Sequence, residues 1–217
     1  MNDLERLEAY FDRVAVGFDS IYSGDKPRIF RLWDRLTRRS LKERLEFSLS
    51  ALSPLAGCRV LDVGCGSGRG SVALAEHGAK EVVGIDVSSR MLELADDLAA
   101  SRGVADRCRF ERADVLSYHG GAFDHAVATG FWDYVREPLP VMEALARLVS
   151  GGVVASFPAR ISPRVPFRAL WLRARRCPVR FYSSSQISAL CEQSGFEVKE
   201  LRRSGPMFLL HARRRRN

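Results

Sequence analysis

The spacing of apolar residues changes several times along the chain, and each change predicts a new element. Near the start, apolar residues recur every three or four positions, which predicts an amphipathic helix over residues 3–16. These residues are Leu4, Leu7, Tyr10, Phe11 and Val14. The same period predicts a longer helix over 29–52, which Pro54 and Gly57 end. We therefore expect residues 1–54 to form an N-terminal helical arm.

From residue 55 to 217, short apolar runs alternate with helical patterns, which indicates one α/β domain built on a parallel sheet with helices on both faces. The first predicted strand ends at Val63, and the others span 81–85, 108–112, 124–129, 152–157, 196–202 and 206–212. The predicted helices span 70–77, 89–101, 138–149 and 184–194. Residues 159–182 interrupt this alternation with three prolines and an amphipathic run, which predicts an inserted lid.

A glycine-rich turn follows the first strand and reads Asp62-x-Gly64-x-Gly66-x-Gly68. Glycine permits a positive φ and lets the backbone approach a ligand closely. The helix that follows presents unpaired N–H groups at its start. A dinucleotide-binding turn spaces its glycines as G-x-G-x-x-G, whereas here the third glycine comes one residue early and an acid precedes the first. The turn therefore favours a ligand with a cationic or amino-acid end over a diphosphate.

Polar residues also stand at the ends of the next three predicted strands, namely Asp86, Asp114 and Thr129. In an open parallel sheet, ligands bind beyond the carboxyl ends of the strands, where the strand order reverses. Asp86 lies roughly twenty residues after the glycine turn, the distance at which such folds place a carboxylate on a ribose. We therefore expect these side chains and the turn to form one site.

Together, the glycine motif and these acids resemble the class I S-adenosylmethionine-dependent methyltransferases over residues 55–158. The resemblance implies a Rossmann-like, seven-stranded, mostly parallel sheet whose last strand is antiparallel. It also implies S-adenosylmethionine as the cofactor, S-adenosylhomocysteine as the product and no metal. The residues that would hold the cofactor are Asp62, Gly64, Gly66, Gly68, Thr129 and Gly130 at its methionine end, Asp86 at the ribose, and Val87, Met91, Asp114 and Val115 at the adenine.

The resemblance also places aromatic residues of the N-terminal arm over the cofactor, which adds Tyr10 and Tyr22 to the expected site. A sulfonium-bound methyl group is already activated, so alignment and exclusion of water supply most of the acceleration. A general base is needed only when a hydroxyl or amine must lose a proton. The candidates near the methyl group are Tyr22, His119, Trp132, Asp133 and Tyr134, of which Tyr22, Asp133 and Tyr134 are the predicted catalytic residues.

The distribution of charge along the chain indicates which kind of molecule the protein binds. Lys and Arg number 34 against 26 Asp and Glu, a net charge of +8, and residues 159–180 hold seven arginines and no acid. That cluster suits an anionic small-molecule acceptor or contact with a membrane surface.

No apolar stretch approaches the roughly 20 residues of a transmembrane helix, and the acidic start is unlike a signal peptide. These features predict a soluble cytoplasmic protein with peripheral membrane contact as a second use of residues 159–182. Five scattered cysteines indicate neither a disulfide framework nor a zinc site.

The acceptor stays open between several alternatives. The main prediction is a methyltransferase that acts on oxygen or nitrogen of a small molecule. The Phe18-Asp19-x-x-Tyr22 arm, the strand end at Pro158 and the lid are similar to the magnesium-protoporphyrin O-methyltransferases, which methylate a propionate carboxylate. In those enzymes a histidine commonly precedes the tyrosine after the fourth strand, whereas Asp133 precedes Tyr134 here.

An alternative of another class is a cofactor-binding interaction module that docks on an anionic membrane or on RNA. The loop glycines and strand-end acids are all present, which favours an enzyme. Thr129-Gly130-Phe131-Trp132 stands where many nucleic-acid amino-methyltransferases carry an Asn/Asp-Pro-Pro-aromatic loop. We therefore do not expect a nucleic-acid partner.

Overall fold

A computed structural model describes residues 8–9, 11–12, 31–160 and 180–215, of which 31–38 are described by their backbone only. In chain order, the helices and strands are α1 (Arg31–Leu52), β1 (Arg59–Val63), α2 (Arg69–Glu76), β2 (Glu81–Asp86), α3 (Ser89–Ser101), β3 (Cys108–Arg112), β4 (Phe123–Thr129), α4 (Pro138–Leu148), β5 (Val149–Pro158), α5 (Ser184–Gln193), β6 (Phe196–Ser204) and β7 (Met207–Arg214). Residues 8–9 and 11–12 are also helical.

The strands form one sheet in the order β3-β2-β1-β4-β5-β7-β6. Neighbouring strands from β3 to β5 are parallel, whereas β7 lies antiparallel to both β5 and β6. The chain moves outward from β1 to β3 and then returns to the other side of β1 with β4. This confirms the predicted fold class, and it places the topological switch point between the carboxyl ends of β1 and β4.

Two apolar clusters, one on each face of the sheet, form the core. On one face, α4 and α5 pack through Leu145 and Ile187 against strand residues such as Leu61. On the other face, α1 packs through Phe47 into a cluster that contains Val60 and residues of α2 and α3. Because successive side chains of a strand point to opposite faces, β1 contributes to both clusters. A strand covered on both faces reads as a continuous apolar run, as in Val60-Leu61, before Asp62 ends the pattern.

Helix starts follow local chemistry that the sequence already contains. The Ser88 hydroxyl oxygen accepts a hydrogen bond from the Met91 N–H at 3.2 Å and caps α3. Ser183 caps α5 in a capping box with Gln186. Pro138 stands in the first turn of α4, where its missing N–H costs nothing.

The start of β5 differs from the prediction. Helix α4 ends at Leu148 and the strand begins at once with Val149, so that Gly151 and Gly152 lie inside the strand and do not separate it from the helix. A Cβ on Gly151 would stand 2.6 Å from the Asp124 carbonyl oxygen, and one on Gly152 would stand 2.5 Å from the Ala212 carbonyl oxygen. The two glycines are therefore required by close strand packing, a reason that the local sequence does not reveal.

The chain leaves and re-enters the sheet at one place beside β5. Ala159 and Tyr182 form an isolated parallel bridge, the Tyr182 N–H donates to the Pro158 oxygen at 2.8 Å, and the Arg160 N–H donates to the Tyr182 oxygen at 2.9 Å. Most of the predicted lid, residues 161–179, lies outside the described residues. Within the part of the chain that is described, no helix combines the length and apolar character required to cross a bilayer.

Candidate cofactor site

The glycine turn lies between β1 and α2, at the switch point. Gly64, Gly66 and Gly68 all have a positive φ, of 67°, 52° and 73°. A Cβ on Gly64 would stand 2.9 Å from the Phe131 ring, and one on Gly68 would stand 2.7 Å from the Ala95 Cβ. No atom lies within 4 Å of the corresponding position on Gly66. The first and third glycines thus permit packing within the protein, while Gly66 leaves open space that a ligand can fill.

Asp62 lies at the carboxyl end of β1, almost completely buried behind this turn. The Ser71 hydroxyl donates a hydrogen bond to its carboxylate at 2.6 Å. Burial, and to a smaller extent the nearby charge of Asp86, raise the pKa of Asp62 to about 6, although the Ser71 hydrogen bond acts in the opposite direction. The fold therefore holds a carboxylate where its charged form is poorly solvated.

Asp86 ends β2 and binds the backbone of the glycine turn and of the residue that caps α3. Its carboxylate accepts a hydrogen bond from the Gly66 N–H at 2.9 Å and one from the Ser88 N–H at 3.0 Å. Burial raises the pKa of Asp86 despite these hydrogen bonds. Among the described residues, no Lys or Arg forms an ion pair with Asp62 or Asp86. The site thus has an excess of buried negative charge.

The residues expected at the adenine lie at the adjoining edge. Asp114 follows β3, and its Oδ1 accepts a hydrogen bond from the Leu116 N–H at 3.1 Å. Val87 is half-buried, whereas Met91 and Val115 are buried. The chain thus brings these four residues to the same edge as the glycine turn, and their contacts with an adenine ring stay a prediction.

Thr129 and Gly130 end β4 beside the turn, and two residues that the sequence analysis missed hold them in place. The Gly130 N–H donates to the buried Ser156 hydroxyl at 2.9 Å. From α1, Arg44 reaches the same point, since a Cβ on Gly130 would lie 2.9 Å from Arg44 Nη1. Its Nε also contacts the Met207 sulfur at 3.1 Å. No local pattern distinguishes Arg44 among the arginines of its helix; only the packing of α1 places it at the site.

The residues of the loop after β4 differ in how deeply they are buried. Trp132 is fully buried and stacks on Phe157 with ring centroids 4.6 Å apart, and its place beside the methyl group stays a prediction. Asp133 is also buried, and its carbonyl oxygen accepts a hydrogen bond from the Arg180 N–H at 3.0 Å. Tyr134 is half-buried, which leaves it the more accessible of the two predicted bases. His119 is exposed in the loop before β4.

The described part of the N-terminal arm crosses this edge of the sheet. Phe11 meets the Tyr134 ring edge to face, with centroids 5.2 Å apart. Arg112, at the end of β3, forms a 2.5 Å ion pair with Glu8. The Ser88 hydroxyl, after β2, donates to Asp12. Residues 8–9 and 11–12 therefore lie beside the ends of β2, β3 and β4. Tyr10 and Tyr22, both predicted site residues, lie outside the described residues.

These features fit a cofactor that has a cationic end and a ribose. The open space at Gly66 lets a ligand approach the backbone, and the buried acids favour a cation as a counterion. The contact of Asp86 with ribose hydroxyls stays a prediction. Within the described residues, no group of three or more His, Cys, Asp or Glu side chains is arranged to bind a metal ion.

Comparison with known proteins agrees with this geometry. The family described as "Methyltransferase domain" matches residues 60–152, from β1 into β5. The magnesium-protoporphyrin O-methyltransferase of Rhodobacter capsulatus is 30% identical over 197 residues, which cover 80% of this chain and 79% of that protein. The chain belongs to the class I S-adenosylmethionine-dependent methyltransferases, and it is an enzyme that uses this cofactor and methylates a small molecule.

Further similar proteins are also methyltransferases. A crystal structure of magnesium protoporphyrin IX methyltransferase from Synechocystis PCC 6803 with bound S-adenosylhomocysteine matches 99% of this chain and 100% of that one, with a TM-score of 0.81 at 22% identity. The ubiquinone biosynthesis O-methyltransferase of Aromatoleum aromaticum is 32% identical over 158 residues, which cover 68% of this chain and 67% of that protein. "Methyltransferase GfsG" of Streptomyces halstedii, 35% identical, is matched over 51% of its length.

Proposed function

We propose that this protein methylates an oxygen atom of a planar small-molecule acceptor, and that a carboxylate of a magnesium porphyrin is the first acceptor to test. The observation that carries this proposal is the extent of the similarity. The magnesium protoporphyrin methyltransferase structure matches nearly the full chain, including parts on either side of residues 60–152. Those flanking parts hold the N-terminal arm and the segment after β5, which we expect to contact the acceptor.

The described residues account for how the cofactor would be held. Asp86 accepts hydrogen bonds from the ribose hydroxyls, and Asp62 attracts the ammonium group of the methionine end. Arg44, beside Gly130, supplies the cation for the methionine carboxylate. Bound S-adenosylmethionine supplies an activated methyl group. Glu8, Phe11 and Asp12 contact residues around the cleft, and in our proposal this part of the arm helps to exclude water from it.

The need for a base depends on the acceptor. A carboxylate is ionised at neutral pH and needs no proton removal, whereas a phenol must lose a proton before or during transfer. Tyr134, half-buried beside Phe11, and Asp133 are the bases that the second case would use. An anionic acceptor also suits the seven arginines of residues 159–180, and peripheral membrane contact through the same segment is a further part of the proposal.

A methyl-transfer screen with labelled cofactor tests the proposal. Magnesium protoporphyrin, metal-free protoporphyrin, a catechol of the quinone-precursor type and an aliphatic amine are compared, with Asp86→Ala as the inactive control. We expect transfer to a porphyrin carboxylate, a rate nearly independent of pH between 6 and 9, and little change in Tyr134→Phe. Transfer to the catechol only, with a rate that rises with pH and falls in Tyr134→Phe, would replace the porphyrin by a phenolic acceptor. Transfer to the amine would refute O-methylation.

A further inference from the structure

The N-terminal segment brings two acids to the cofactor site, and their surroundings differ. Glu8 pairs with Arg112 at 2.5 Å, so its charge is balanced locally. Asp12 accepts a hydrogen bond from the neutral hydroxyl of Ser88. Among the described residues, no Lys or Arg forms an ion pair with Asp12. Asp12 therefore adds a negative charge to the edge of the cleft without a matching cation.

Ser88 connects Asp12 directly to the ribose acid. Its backbone N–H donates to Asp86 at 3.0 Å, while its hydroxyl accepts from the Met91 N–H and donates to Asp12. The two carboxylates thus bind the same residue from two sides. Burial is the main cause of the raised pKa of Asp86, and the charge of Asp12 adds a smaller contribution in the same direction.

We infer that Asp12 determines the preference of this site for S-adenosylmethionine over S-adenosylhomocysteine. The inference rests on the proposed cofactor site. The cofactor carries a sulfonium cation, whereas the product carries a neutral thioether; otherwise the two share the ribose, the adenine and the amino-acid end. A site that carries carboxylates without paired cations attracts the sulfonium cation more strongly than the neutral sulfur. Asp12 favours the exchange of product for fresh cofactor after each methyl transfer.

The size of the effect follows from the charge that is removed. Loss of one negative charge from exposed Asp12 at the edge of the cleft should weaken the binding of a cation by about three- to tenfold, for an effective dielectric between that of water and that of a protein surface. The neutral product should lose less than about twofold, from the altered Ser88 contact alone. Salt should reduce the difference, because the arm edge is reached by solvent ions.

Calorimetric titration of the full chain with each ligand tests this inference directly and does not depend on the acceptor. Asp12→Asn keeps an oxygen acceptor for Ser88 and removes the charge, while Asp12→Glu keeps the charge. Asp106→Asn is the matched control, because it removes one negative charge from an exposed residue. Asp106 precedes the amino end of β3, whereas the cofactor site lies at the carboxyl ends of the strands. Thermal melting of each variant without ligand checks that the fold is unchanged.

We expect Asp12→Asn to weaken cofactor binding about three- to tenfold and product binding less than twofold, with both affinities preserved in Asp12→Glu and Asp106→Asn. Equal losses of affinity for both ligands in Asp12→Asn would overturn the inference, since Asp12 would then only hold the arm in place. No loss of affinity for either ligand would overturn it as well. Failure of the wild-type chain to bind either ligand would instead refute the cofactor site itself, so the two failures are distinguishable.

Discussion

Asp62 makes the unliganded protein less stable than it could be, and this can be measured. Its pKa rises from 3.8 to about 6 in the folded chain, chiefly because the carboxylate is buried. Between these two values the folded state binds more protons than the unfolded state, so the free energy of unfolding falls as the pH rises through this window. At 1.36 kcal/mol for each pKa unit, the full loss is about 3 kcal/mol.

Replacement of Asp62 by Asn removes the ionisation and keeps an oxygen that can accept the Ser71 hydrogen bond. We expect Asp62→Asn and the wild type to have similar stabilities near pH 4. At pH 8 the variant should be more stable, by up to about 3 kcal/mol. Urea unfolding of the unliganded proteins at several pH values measures this difference. Asp86 also has a raised pKa, and because its charge interacts with that of Asp62, the measured difference includes this interaction.

The same substitution should weaken the binding of S-adenosylmethionine, because the ammonium group loses its carboxylate. Stability gained at the cost of binding is the usual pattern at functional sites. The reasoning is refuted if the stabilities of the two proteins run parallel from pH 4 to pH 8, or if Asp62→Asn is the less stable protein at pH 8. Asp106→Asn, at an exposed position, should show neither change.

Two further predictions concern the turn and the ribose acid. Asp86→Ala should weaken S-adenosylmethionine binding at least tenfold in calorimetry, because charge-assisted hydrogen bonds contribute about 1.5–3 kcal/mol each; an unchanged affinity would contradict the ribose assignment. Gly68→Ala should destabilise the fold by about 1–3 kcal/mol in urea, because its φ is 73° and its Cβ would stand 2.7 Å from Ala95. Gly66→Ala meets open space, so it should lose more affinity than stability, and the reverse order would contradict the assignment of the open space to a ligand.

The order of elements could be predicted because each strand is short, apolar and bounded by turn residues. Val60-Leu61 and Val82-Val83 are buried on both faces, which produces uninterrupted apolar runs. The acids Asp62 and Asp86 follow these runs, so parallel topology alone brings them to the same edge. For these residues, the position predicted from the local sequence agrees with the position in the tertiary structure.

The contributions of Arg44, Ser156 and Trp132 could not be predicted, because long-range packing determines each of them. Arg44 reaches Gly130 from a helix that precedes β1, and Ser156 reaches it from a neighbouring strand. Trp132 follows the site glycine by two residues, yet it packs on Phe157 in the core. A position next to a site in sequence does not show which way a side chain will point.

The bridge between Ala159 and Tyr182 has a consequence for how such enzymes diverge. Because the chain leaves and returns at adjacent backbone positions, the stretch between them can change length or be exchanged for another without moving β5 or α5. Doubling the length of such a loop adds only about 0.6 kcal/mol of closure entropy. If this stretch contacts the acceptor, as we propose, then exchange of the stretch alone would change the acceptor preference and leave the cofactor domain unaltered.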